Sequence, residues 1–270
     1  MSKLLLVAGV FVFVAGCRWF SAPAKNVEVA NNTNTAVTTP SPTERASVSS
    51  PTATPGEVMP TGVTVEKIQT VKFADGKFTD GWQWIDPDGE FSPTPHEFVG
   101  GRLKMTITTT KDLYGDNRTA PRLVKAVSGD FQIETRVTFE PTQDYQGAGL
   151  LIYTDGDNYI RFERSFGGIG GGGSGMRLDT RVKGEYAPLI TPIDIPTATA
   201  ECDLKITRRL NIFSVYWREN ESSEWRVVED IETSFPETIL SGVVGCNTAS
   251  EIKAEFSNIR LSPQPLQKLF

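Results

Sequence analysis

The text "NYIRFERSF" at Asn158–Phe166 alternates with period two, so Tyr159, Arg161 and Glu163 share one side of a strand while Ile160 and Phe162 take the other. The text "MRLDTRVK", from Met176 on, does the same, with Arg177, Asp179 and Arg181 facing away from Met176, Leu178 and Val182. Paired as a hairpin, the two strands gather an aromatic ring, three guanidinium groups and two carboxylates on one exposed surface. That set suits a sugar, whose hydroxyls need planar donors and acceptors and whose C–H faces stack on rings. It suits equally a solvated sheet face, where cross-strand ion pairs contribute roughly 0.2–1 kcal/mol each. Trp84 and Tyr114, with Trp82, offer further ring surface at a rim, and Asp116 and Gln146 offer hydrogen bonds. A large sandwich also needs tryptophans as core fillers.

Other chemistries find less support. A retaining glycosidase needs two carboxylates about 5–5.5 Å apart, which on a strand means alternate positions. In "VVEDIETS" Glu229 and Glu232 fall on opposite faces, leaving only Asp230 in phase with Glu232, so no catalytic residues are expected. His96 is the only histidine and sits in the turn-rich "SPTPHEF", which disfavours a histidine-dependent triad and zinc alike. Calcium stays open, because "DGDN" at Asp155–Asn158 and Asp75, Asp80, Asp86 and Asp88 supply hard oxygens. No EF-hand spacing is present, and Asx turns account for these residues without a metal; no cofactor is expected. The stretch "SFGGIGGGGSGMR" holds Gly168, Gly170 and Gly173 at G-x-G-x-x-G spacing. A dinucleotide site needs a helix after those glycines, and the text that follows is a strand, so they read as a mobile hairpin tip. With 27 Lys and Arg against 33 Asp and Glu, the net charge of −6 argues against a nucleic-acid partner.

The elements that must position these groups are strands throughout. Phe131, Ile133, Val137 and Phe139 alternate with polar residues, as do Leu103, Met105 and Ile107, and Phe213, Val215 and Trp217. Turn residues punctuate the gaps, as at Ser128-Gly129-Asp130, and no sustained 3.6-residue stripe occurs. The expectation is an all-β antiparallel sandwich of two sheets with about six or seven strands each. Cys202 is in phase with Leu204 and Ile206, and Cys246 with Val244, so both can point inward. They are either a disulfide or two buried thiols.

Several segments resemble the concanavalin A-like lectin/glucanase superfamily: "GWQW" at Gly81–Trp84, "DLYGDNRTAPRL" at Asp112–Leu123, "GDFQIETRV" at Gly129–Val137, "QGAGLLIYTDGDNYIRFER" at Gln146–Arg164 and "AEFSNIRL" at Ala254–Leu261. The likeness spans roughly Ile68 to Leu261 and is similar to a bacterial domain of unknown function and to the β-sandwich appended to some β-xylosidases. The resemblance implies a jelly-roll of two stacked sheets, one of them concave, with the "GWQW" and "DLYGD" segments near the concave face. It implies no single activity, and the E-x-D-x-x-E pattern of the glucanases has no match here. A glycan or polysaccharide is the expected ligand, with a protein partner docking on the same face, or an unrecognised glycan-active enzyme, as alternatives.

At the start, Lys3 and the apolar run Leu4–Val14 read as an export signal, and "VAGC" ending at Cys17 resembles a bacterial lipobox, which implies Cys17 as the lipidated residue; an ordinary signal peptide or a short membrane anchor is the alternative. Two or more acyl chains hold a protein stably on a membrane. Arg18 in place of the Asp that retains lipoproteins at an inner membrane points to the outer membrane or cell surface, with the lipid as the sole membrane contact. Residues 18–62 are rich in Pro, Ser, Thr, Ala and Asn without apolar period and read as a disordered tether. The expected organisation is therefore signal 1–17, tether 18–62, sandwich 63–262 and tail 263–270.

Overall fold

Strands, with no helix among them, account for the regular structure of a computed structural model that describes residues 61–166, 174–190, 200–247 and 250–264. Cys17, the tether as far as residue 60 and the glycines of 167–173 lie outside the described residues. In chain order the strands are β1 Val63–Thr64, β2 Gln69–Thr70, β3 Phe73–Ala74, β4 Lys77–Phe78, β5 Trp82–Ile85 and β6 His96–Val99. There follow β7 Arg102–Ile107, β8 Arg122–Ser128, β9 Phe131–Phe139, β10 Gly147–Asp155, β11 Asn158–Phe166 and β12 Ser174–Val182. The last are β13 Glu185–Ile190, β14 Glu201–Arg209, β15 Ile212–Arg218, β16 Arg226–Glu232, β17 Thr238–Cys246 and β18 Ile252–Pro263.

One eight-stranded sheet runs β1-β8-β17-β10-β11-β12-β13, with β5 also on β8. The other runs β16-β15-β14-β9-β18-β7-β6, with β2 on β18, so each sheet is slightly larger than the sequence suggests. Pairing is antiparallel except between β1 and β8. The sheets stack on one apolar core: Leu150, Ile152, Ile160, Phe162, Met176 and Leu178 from the first meet Ile133, Val137, Leu204, Ile206, Phe213 and Phe256 from the second. The hairpin of β11 and β12 has the anticipated register, Tyr159 opposite Arg181, Arg161 opposite Asp179 and Glu163 opposite Arg177.

The sheets differ in what covers their outer faces. In the second, β15 alternates between buried and partly open residues, as one wet face requires. In the first, β8, β10, β11, β12 and β17 are buried almost continuously. Segment 108–121 explains this. Its Leu113 and Ala120 close a second apolar cluster with Val124, Leu151, Tyr153, Tyr159, Leu240, Val244 and Cys246, all on the side of the sheet away from the main core.

This arrangement also decides between a disulfide and two buried thiols, in favour of the thiols. Both thiols are free and buried. Cys202 lies between the sheets, with its Sγ 4.0 Å from Met176 Sδ, whereas Cys246 belongs to the cluster beneath segment 108–121. The first sheet stands between them, and a disulfide needs Cα atoms within about 7 Å.

Candidate functional site

Period two places Tyr159, Arg161, Glu163, Arg177 and Asp179 together on the outer face of the first sheet, as read from the sequence. The exposure expected for that face is corrected, since all five are 0–4% exposed. The physical reason is segment 108–121, which lies across them and is fastened by them. The Tyr159 hydroxyl donates to the Leu113 carbonyl at 2.7 Å, and Arg161 Nη1 donates to Asp112 at 3.0 Å.

Beneath it, four residues form a square of alternating charge. Arg161 reaches Asp179 at 2.8 Å and Glu163 at 3.2 Å, while Arg177 reaches Glu163 and Asp179 at 3.0 Å each. Each carboxylate thus has two guanidinium neighbours, the compensation that buried charges require. Gly147 makes room for Glu163: a Cβ there would meet the carboxylate at 2.6 Å. The environments drive the two acids apart. Burial works to raise both, and in Asp179 it is outweighed by Arg177, Arg161 and hydrogen bonds from Arg161 and Tyr186, which hold it below the ordinary value. Glu163 stays above its ordinary value, because burial outweighs Arg161 and Arg177. Separated acids of this kind are what acid–base catalysis employs, but here both are 0% exposed.

The accessible part of the arrangement lies at the edge of this square. Tyr114 is 55% exposed and meets the ring of Tyr186 edge-on at 5.0 Å between centroids. Arg181 Nη1 donates to the Gly115 carbonyl at 3.1 Å and pairs with Asp157 at 3.3 Å. Arg118, which also donates to the Gly115 carbonyl, pairs with Asp157 at 2.9 Å. Asp116 is exposed two residues from Tyr114. A protruding ring thus stands among fixed donors and acceptors, on a turn whose backbone is tied to β12.

The other anticipated residues divide. Gln146 is buried and acts on backbone, its Oε1 accepting from Thr142 N and Gln143 N at 2.8 and 3.0 Å and its Nε2 donating to the Ser250 carbonyl at 3.3 Å. Trp84 is not brought to the face: it packs against the inter-sheet core and stacks on His96 at 4.0 Å, and Trp82 is core. Four of the acids considered for calcium are engaged otherwise: Asp155 accepts from Asp157 N and from Asn158 Nδ2, Asp86 accepts from Thr94 N and Lys111, Asp80 pairs with Lys72 and Asp88 with Lys111. Among the described residues no three His, Cys, Asp or Glu side chains gather as a metal site. Sequence reasoning missed Asp112, Tyr186 and Arg118, and offered Asp157 only within "DGDN" as a calcium oxygen, whereas it pairs with Arg118 and Arg181. The one visible signal, and for Asp112 alone, was the text "DLYGD", whose apolar Leu113 between Asp112 and Tyr114 marks a segment that must be covered.

The profile of the family described as the β-xylosidase C-terminal concanavalin A-like domain matches residues 70–245. No curated protein matches the chain in sequence. Among solved structures, a functionally unknown protein from Saccharomyces cerevisiae is 15% identical with a TM-score of 0.56, over 68% of this chain and 97% of that one. The GH43 BlXynB protein from Bacillus licheniformis is 14% identical with a TM-score of 0.53, over 67% of this chain but 36% of that one. A bifunctional GH43-CE protein of Bacteroides eggerthii is 11% identical with a TM-score of 0.53, over 69% of this chain and 24% of that one. At these identities the likeness is one of fold, and the chain corresponds to about a third or less of the two GH43 proteins.

Proposed function

The chain belongs to the β-xylosidase C-terminal concanavalin A-like family, and from that premise we propose that its sandwich binds carbohydrate without cleaving it, held at a bacterial envelope by lipid on Cys17. The observation that carries the reading is the exposed Tyr114 ring on Tyr186, among the guanidinium groups of Arg118 and Arg181 and the carboxylates of Asp116 and Asp157. A sugar ring can stack on the phenol while its hydroxyls reach those fixed groups. The non-catalytic half of the reading rests on Glu163 and Asp179, the two acids with separated pKa values, each locked between two arginines and without exposed surface.

Under this reading the charge square and Tyr159 position segment 108–121 rather than touch the ligand, and Tyr114 is the contact. The test is affinity electrophoresis of the full chain through gels containing soluble polysaccharides, comparing wild type with Tyr114→Ala. Retardation is expected to fall by about tenfold in affinity, the scale of losing one central aromatic contact, at an unchanged unfolding midpoint. Undiminished binding by Tyr114→Ala would remove the site assignment. Reducing ends released from any of the polymers would overturn the non-catalytic reading.

A further inference from the structure

Tyr114 is one of three exposed aromatic residues carried by loops that buried polar side chains fasten to one another. Phe91, 85% exposed, lies in loop 86–95; Tyr114 lies in segment 108–121; and Tyr145, 55% exposed, lies in loop 140–146. Lys111, fully buried, donates to Asp86 at 3.1 Å and to the Ser92 carbonyl at 2.5 Å, which joins the first loop to the second. Asn247 N donates to the Lys111 carbonyl at 2.7 Å, and Asn247 Nδ2 donates to the Ser250 carbonyl at 2.7 Å. That same carbonyl accepts from Gln146, which holds the third loop. Burying a lysine and two amides solely to fix loop backbones is costly unless every group is satisfied. What these groups hold in place is three rings in solvent.

Tyr145 adds a second sign. Its φ of 68° is left-handed, a conformation that disfavours a non-glycine residue by of order 1–3 kcal/mol. Its N–H is bonded to the Phe166 carbonyl at the end of β11, whereas Tyr114 sits beside Tyr159 and Arg181 at the other end. The seven steps from Tyr159 to Phe166 span roughly 24 Å along a strand, far more than one sugar ring. Each ring also has an exposed carboxylate within two residues: Glu90 beside Phe91, Asp116 near Tyr114 and Asp144 beside Tyr145. None of the three carboxylates takes part in an ion pair among the described residues.

We propose that Phe91, Tyr114 and Tyr145 are platforms of one extended site that binds several units of an uncharged polysaccharide. The proposal rests on the carbohydrate-binding reading and adds the polymeric and neutral character of the ligand. Glu90, Asp116 and Asp144 accept hydrogen bonds from neutral sugar hydroxyls and repel uronic acids, while beside Tyr114 the guanidinium groups of Arg118 and Arg181 are engaged by Asp157.

The full chain is run in affinity gels containing arabinoxylan, xyloglucan, mixed-linkage β-glucan or galactomannan, with polygalacturonate as the acidic polymer. Calorimetry then follows oligosaccharides of the retained glycan, from the monosaccharide upward. Affinity for a neutral polymer is expected to rise with each added unit, and Phe91→Ser, Tyr114→Ala and Tyr145→Asn each to lower it about tenfold. Asn accepts the left-handed backbone, so Tyr145→Asn keeps the loop, and unchanged unfolding midpoints confirm that. A short oligosaccharide is expected to lose affinity in one or two of these variants but not in all three. A monosaccharide that binds as tightly as the polymer, with Tyr145→Asn silent, would overturn the extended site while sparing the carbohydrate reading. Tightest binding to polygalacturonate would overturn the neutral ligand, and failure to bind any polymer would overturn the reading beneath both.

Discussion

Arg161 is 2% exposed, and three carboxylates, those of Asp112, Glu163 and Asp179, lie within 3.2 Å of its guanidinium nitrogens. Removing it strands Asp112 and leaves Glu163 and Asp179 to share Arg177 alone. Breaking a buried pair from one side costs about 3–5 kcal/mol, because the surviving charge stays desolvated. Arg161→Met is therefore expected to lower the unfolding free energy by that amount, read as a lower urea midpoint at an unchanged m-value, and to do so with no glycan present. Arg161→Lys should recover only part of the loss, since an ammonium cannot reach Asp112 and Asp179 in the fixed fork geometry of a guanidinium. A variant as stable as wild type would mean that the square relaxes around its missing corner and does not hold segment 108–121. The phase of these residues is legible in the sequence, because period two assigns each side chain a face. Their burial is not, because a polar strand face looks the same whether water or another segment covers it.

Segment 108–121 is tied to β11 by one neutral hydrogen bond, from the Tyr159 hydroxyl to the Leu113 carbonyl, and to the charges around it by Asp112 and Arg181. Burial is the largest of the effects that push the Tyr159 phenol up to about 12. The sign follows: a raised phenol contributes stability in full below its unfolded value near 10, and the contribution is lost as pH rises from about 10 to 12. Tyr159→Phe leaves the Leu113 carbonyl without that donor at a cost of about 1–3 kcal/mol. The variant is expected to lose less stability than wild type across that alkaline window. The checks are denaturation against pH and hydrogen exchange, in which amides of segment 108–121 should exchange faster while those of β9 and β14 do not change. Equal loss in both proteins would show that another group dominates the alkaline transition. The coverage of this sheet left a trace in the sequence. β10 reads "GAGLLIYTD" and β17 "TILSGVVGC", nearly continuous apolar runs, unlike "IFSVYWR" in β15. Strands buried on both faces read this way, and Gly149 and Gly242 mark where neighbouring backbone leaves no space for a Cβ. Segment 108–121 itself has no period, so which stretch supplies the cover is decided by tertiary contacts.

Seen as three layers, the molecule stacks the second sheet, the first sheet and segment 108–121, with one apolar cluster at each boundary. The sandwich was readable from strand period and turn residues; the third layer and the loop network around Lys111, Asn247 and Gln146 were not, because each depends on partners distant in sequence. The layers also fix the chemistry of the cysteines. Cys202 is sealed in one boundary and Cys246 in the other, and burial first of all pushes both thiols up, Cys202 to about 12. Neither forms thiolate near neutral pH, and the first sheet keeps them apart, so the native chain is expected to be inert to Ellman's reagent for as long as it stays folded. In denaturant without reductant the two must appear together. Cys17 turns this titration into a test of the anchor, since a thioether-linked lipid removes its thiol from the count. Full-length protein from membranes of a bacterial host should therefore yield two reactive thiols on unfolding. A third would show that Cys17 carries no lipid and would remove the envelope attachment from the proposed function. Fewer than two would show that Cys202 or Cys246 had been oxidised, which the separation of the two apolar clusters forbids for a bond between them.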